Sequence, residues 1–215
     1  MSFHVAIVTL QGFNELDSLI AYNLLKRIKR VDLRVTLCCP EAEVTSMNGV
    51  IVRAQSSLED AATAQAVMIG SGVRTRELIA SRQLLSRMKL HPEKQLIAAQ
   101  CSGVLLLSSL GLLSGLPVCT DLATRSSLQE AGVEVLEQPF FATGNMATAG
   151  GCLASLYLAA WIMARVEGLD AALAAIGCIA PVGEKEDFVA KTVLNISPYL
   201  PENTPLGAVT KVPRT

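Results

Sequence analysis

The sequence predicts an α/β fold, a mostly parallel sheet covered by helices on both faces. Three observations carry that expectation. Short apolar runs rich in β-branched residues recur at residues 4–10, 33–39, 66–69 and 95–100, separated by stretches with helical spacing. Two uncharged runs, residues 95–120 and 138–164, are long enough to cross a bilayer,. Punctuation by Gly103, Gly111, Gly115 and Pro117 in the first, and by Pro139, Gly144, Gly150 and Gly151 in the second, instead divides them into buried strands and helices,. Finally, 51% hydrophobic residues with only 4% aromatic, and a mean hydropathy of +0.42, describe a large core of Leu, Ile, Val and Ala. A chain of 215 residues buries such a core as one domain,. We assign residues 1–180 to that domain and 181–215 to a C-terminal extension or tail.

Charge and cysteine usage narrow the function classes. Eighteen basic and nineteen acidic residues give a formal net charge of −1, so no overall field recruits nucleic acid or an anionic membrane. Small-molecule or protein partners are the expectation. The start, Met1 to Val8, lacks a basic segment and a small-residue cleavage site and reads as a strand, which points to the cytoplasm,. The six cysteines, Cys38, Cys39, Cys101, Cys119, Cys152 and Cys178, form no CxxC pair. Neither a disulfide framework nor a zinc site is indicated, and no cofactor is expected.

In chain order, His4–Leu10 is the first strand, closed by the loop Gln11-Gly12-Phe13-Asn14,. A helix follows, with Leu16, Leu19, Ile20, Leu24 and Ile28 on one face and Lys26, Arg27, Lys29 and Arg30 in its last turns,. Leu33–Cys39 is a strand, and Glu43–Val52 a hairpin turning at Asn48-Gly49,. Ala66–Ile69 is a fully apolar strand ending in Gly70-Ser71-Gly72, before a polar helix over 74–89,. After the strand at 95–100, residues 102–110 are helical and stop at Gly111,. Strands near 117–119 and 133–136 flank a helix over 122–131. Two short strands, 140–143 and 145–148, then lead to an almost wholly apolar helix, 152–166, and a last helix, 169–177. The segment after Pro198 has no periodicity and reads as a tail,.

Candidate chemistry centres on Ala99-Gln100-Cys101-Ser102-Gly103, where a buried strand turns straight into a helix. Small residues on either side of the cysteine fit a nucleophile elbow, and the following helix start favours a thiolate. Read alone, the segment fits equally a small buried structural thiol. Asp17 lies in the first turn of the first helix, at the carboxyl end of the first strand, where α/β sheets place ligands. It also fits a simple role at the helix start, as third residue after an Asn14 cap. The fold brings Asp17, Gly70-Ser71-Gly72 and Cys101-Ser102 to one sheet edge.

These segments, with Gly12-Phe13-Asn14-Glu15-Leu16-Asp17, Gly111-Leu112-Leu113-Ser114-Gly115 and Thr148-Ala149-Gly150-Gly151, resemble the DJ-1/PfpI superfamily over residues 4–178. The resemblance implies a class I glutamine amidotransferase-like, flavodoxin-like three-layer sandwich and, usually, a homodimer. Within the superfamily the pattern is most similar to isonitrile hydratases, whose Cys-Thr-Gly elbow is Cys101-Ser102-Gly103 here. Carried over, Cys101 is the nucleophile, Asp17 its acid/base and Ser102 a hydroxyl that helps place water. The N–H groups of Gly72 and Ser102 form an oxyanion-type site. The family's Pro-Gly-Gly loop is Gly70-Ser71-Gly72, and the position where many members carry histidine is Asp121. His4 and His91 are the only histidines and neither is placed to serve Cys101. A hydratase or hydrolase of a small molecule is therefore one expectation. A DJ-1-like protein oxidised at Cys101 and a non-catalytic binding module are the others. Too little periodic sequence follows residue 178 for a fused DNA-binding region.

Overall fold

A computed structural model describes residues 3–201. Its strands are β1 (Phe3–Val8), β2 (Leu33–Cys39), β3 (Glu43–Thr45), β4 (Ile51–Arg53), β5 (Ser56–Ser57), β6 (Ala66–Ile69), β7 (Leu96–Gln100), β8 (Phe140–Thr143) and β9 (Met146–Ala149). Its helices are α1 (Glu15–Leu25), α2 (Thr75–Leu78), α3 (Arg82–Arg87), α4 (Val104–Ser109), α5 (Leu122–Glu130), α6 (Ser155–Glu167), α7 (Leu169–Ile179) and α8 (Lys185–Ile196). Seven strands form the main sheet in the order β5-β2-β1-β6-β7-β9-β8. Every pairing is parallel except β8 with β9, a hairpin turning at Gly144. The expected α/β class and mostly parallel sheet are thus present.

The sheet's alternation sorts its side chains into two cores. Val5, Ile7, Met68 and Ala98 face α1, α6 and α7, where Trp161 is completely buried. Ala6, Val8, Val67, Ile69 and Ala99 face α4, with Leu106 and Leu107. Both faces are covered, which is why β1, β6 and β7 read as continuous apolar runs rather than alternating ones.

Several elements differ from the sequence expectation. In α1 the buried face is Asp17, Ser18, Ala21, Leu24 and Leu25, while Leu16 is 44% exposed. The small side chains of Ser18 and Ala21 let α1 close on the core, Leu19 and Ile20 pack against it part-buried, and Leu16 turns outward. The helix ends at Leu25, so the basic cluster from Lys26 to Arg30 follows it, and Arg30 pairs with Asp32 at 2.9 Å. The 74–89 segment is two short helices, with Ser81 capping the second. The β3–β4 hairpin forms its own two-stranded sheet around a longer loop, in which the Ser46 N–H donates to Val50 O. The expected strands near 118 and 135 reduce to a single bridge, Val118 with Val135. Past residue 180 the chain forms α8, whose Ile196 lies in the first core, and Tyr199 then packs edge-on against Phe140 and Phe141. The remainder of the expected tail, from 202, lies outside the described residues. No helix among the described residues is long and apolar enough to cross a membrane.

Candidate functional site

The order of the sheet reverses at β1, with β2 on one side and β6 on the other. Crevices at such reversals, beyond the strands' carboxyl ends, are where α/β folds bind ligands. Here the loops after β1 and β6 are zipped together. Asn14 N–H donates to Ser71 O at 2.8 Å, and Val73 N–H to Gly12 O at 3.0 Å. A Cβ on Gly72 would lie 2.5 Å from Gly12 O, so only glycine permits this approach,. The result is a cavity of about 410 Å³ lined in part by Asn14, Ser71, Thr75, Cys101, Asp121 and Cys152.

Cys101 stands between β7 and α4 with φ of +46°, the only non-glycine residue with positive φ among those described. A left-handed backbone at an L-residue costs of order 1–2 kcal/mol, and such strain concentrates at functional sites. Surrounding contacts hold it: Thr120 Oγ1 donates to Cys101 O at 2.9 Å, and Gln100 Nε2 donates to the sulfur at 3.3 Å and to Gly151 O at 2.7 Å. The tight turn needs Gly103, where a Cβ would sit 2.7 Å from Gly70 O and 2.9 Å from Ile69 O.

Asp17 is wholly buried behind the cavity wall, beneath Ser71, whose hydroxyl donates to its Oδ2. Its Oδ1 has no hydrogen-bond partner among the described residues. Burial pushes its carboxyl up to about 6, against the opposing pull of the Ser71 hydroxyl and nearby backbone N–H groups,. No direct hydrogen bond joins Asp17 to Cys101 among the described residues; Asp17's charge nevertheless acts on the thiol.

Burial, with that charge second to it, reverses one expectation. Burial, followed by the carboxylates of Asp17 and Asp121, pushes the Cys101 thiol up to about 12. The helix behind it supplies little counterweight, because a 3-10 turn intervenes and α4 has only six residues,. Free Cys101 is a thiol at neutral pH, and any attack by it requires a proton acceptor.

The other candidates are placed as follows. Ser102 Oγ accepts from Gly72 N–H at 3.1 Å and lies 2.9 Å from Thr75 Oγ1. The Gly72 N–H is thereby committed to Ser102 and is not free as an oxyanion donor in this arrangement. Asp121 lines the cavity, yet both its oxygens cap α5, accepting from Thr124 N–H at 3.0 Å and Thr124 Oγ1 at 2.8 Å. His4 is buried against Thr36 and Arg34, and His91 is exposed beside Glu93, both away from the cavity. Among the described residues no group of three or more His, Cys, Asp or Glu could hold a metal ion. Gln100 escaped notice, although a polar residue ending a fully buried strand is a signal. Ser71's link to Asp17 and Asn14's donation to Cys152 Sγ at 3.1 Å carry no such mark.

A mostly parallel sheet with a cysteine elbow after β7, beside the switch point, defines an α/β protein of the nucleophile-elbow type,. The chain belongs to the DJ-1/PfpI family, whose model matches residues 3–165. It is 23% identical over 174 residues to the isonitrile hydratase of Pseudomonas putida, covering 80% of this chain and 75% of that protein. Among solved structures, a ThiJ/PfpI family protein from Pseudomonas syringae superimposes with a TM-score of 0.73 at 17% identity, covering 92% of this chain and 88% of that one. DJ-1 of Schizosaccharomyces pombe gives 0.71 at 17%, covering 83% and 99%. At these identities the structural likeness establishes the fold.

Proposed function

We propose that this protein is a cysteine-dependent hydratase that adds water to an isonitrile or a similarly small, polarised substrate. The observation that carries the reading is Asp17, a buried carboxyl raised to about 6 beside a cysteine elbow that no histidine serves. Peptidase and amidase chemistry needs an imidazole to take the cysteine's proton and later protonate a leaving amine. Water addition expels no leaving group from the substrate. Cys101 sulfur bonds to the isonitrile carbon while its thiol proton passes to the Ser71–Asp17 pair, which returns one to that carbon. Water then attacks the resulting thioimidate, the C–S bond breaks, and the formamide leaves with the thiol restored. Ser71 is the relay, because its hydroxyl both lines the cavity and donates to Asp17. Ser102, held by Gly72 and Thr75, keeps a hydroxyl at the cavity wall for water.

The test is turnover of a simple alkyl isonitrile to its N-substituted formamide, followed by NMR. Cys101→Ala abolishes it, and Asp17→Asn lowers it by roughly 10²- to 10⁴-fold. Wild-type protein that makes no formamide above the buffer rate refutes the reading. In that case a second reading gains ground, in which Asp17, raised enough to hold a proton, donates it to a Cys101 sulfinate. Accumulation of that sulfinate under mild peroxide is its signature.

The reading includes a homodimer. The half-exposed Leu16, Met47 and Val50 share a groove with Leu19 and Ile20, an apolar strip suited to a second copy. Sedimentation should show a dimer for the wild type and a monomer for Leu16→Glu; a monomeric wild type removes this part.

A further inference from the structure

We propose that Cys101 and Cys152 are a redox pair that closes as an intramolecular disulfide when the cavity meets a hydroperoxide. Both line the same cavity. Their strands are neighbours, with Gln100 at the end of β7 paired in parallel to Ala149 at the end of β9. One side-chain amide bridges the two turns, since Gln100 Nε2 donates to Cys101 Sγ and to the carbonyl of Gly151, the residue before Cys152. A second amide holds the other sulfur. Asn14 Oδ1 is committed to the Leu16 N–H, which leaves Nδ2 aimed at Cys152 Sγ. Of the remaining cysteines, Cys38, Cys39 and Cys119 are buried outside this cavity and Cys178 is exposed on α7.

The order of events follows from access. Cys152 is half-buried, whereas Cys101 is 4% exposed and held as a thiol. The hydroperoxide therefore transfers its terminal oxygen to Cys152, giving the sulfenic acid and an alcohol, or water from hydrogen peroxide. Cys101 sulfur then attacks the sulfenic sulfur. The S–S bond forms, the S–O bond breaks, and hydroxide leaves with the Cys101 proton as water. The disulfide withdraws the elbow sulfur from other chemistry until a thiol reduces it. This pairing stands on the cavity alone, so an isonitrile result of either sign leaves it in place.

The experiment exposes the full-length chain to a small excess of hydrogen peroxide and alkylates the remaining thiols. It then maps peptides by mass without reductant. The expected product is a monomer in which the Cys101 peptide is linked to the Cys152 peptide, with both thiols recovered by dithiothreitol. In Cys152→Ser the link is lost and Cys101 remains alkylatable after the same exposure. Three wild-type outcomes overturn the proposal: a disulfide with another partner, a Cys101 sulfinate beside an alkylatable Cys152, or both thiols still free. Should the variant not fold, the wild-type map decides alone; a folded Cys152→Ser in which Cys101 is consumed overturns the stated order.

Discussion

Between about pH 4 and pH 7 ionisation of Asp17 takes about 3 kcal/mol from the folding stability of the wild-type protein, and Asp17→Asn removes that contribution,. The sign follows from proton binding. Folded Asp17 keeps its proton up to about pH 6, whereas in the unfolded chain it releases it near the ordinary 3.8. Between those values the native state binds more protons, so stability falls as pH rises and levels off above about pH 6. Burial is the main cause, and the charged groups facing the carboxyl are Asp121 and, at high pH, Cys101. Asparagine has nothing to titrate, so urea unfolding at a series of pH values should give a profile flatter by that amount. Parallel profiles for the two proteins would show that Asp17 ionises as easily in the fold as outside it.

Gly103→Ala costs about 3 kcal/mol, at the upper end for overpacking, because the added methyl meets two backbone carbonyls, of Gly70 and Ile69, which cannot rotate away, with the Ile69 side chain close behind them,. Relief requires the turn after Cys101 to separate from the turn after β6, which also displaces Ser71 from Asp17. Gly111→Ala is the matched control. There φ is +72° with open space around the site, so only the backbone penalty of about 1 kcal/mol applies. Equal denaturation midpoints for the two variants would mean that the Gly103–Gly70 contact is slack.

Much of the framework was legible because burial on both faces writes itself as uninterrupted apolar residues. Leu33–Cys39 and Ala66–Ile69 were found with their observed bounds, and the convergence of Asp17 with Cys101 followed from topology. What escaped depends on partners distant in sequence. Nothing near Ser71 announces Asp17, since 54 residues separate them. Likewise the thiol's displacement arises first from burial, which the apolar run did show, and then from two carboxylates that nothing beside Cys101 announces, while the local helix pointed the opposite way. The helix α8 was missed because its charged exposed side dominates the composition, and only contact with α6 and α7 gives Phe188, Val189 and Ile196 something to pack against. The face expected for α1 held at Leu24 and Ile28 and failed at Leu16, because the first turns close on the core through Asp17, Ser18 and Ala21.

The two margins of the sheet bear on how copies of this chain can meet. At one margin β5 offers only two residues of unpaired backbone, and at the other β8 runs against its neighbour with Tyr199 laid over its aromatic rings. Neither presents the long, flat, open ladder that templates strand addition. Association by sheet extension, and the fibrillar growth that such extension seeds, is therefore disfavoured at both ends, which leaves helix and hairpin surfaces as the places where one molecule can recognise another.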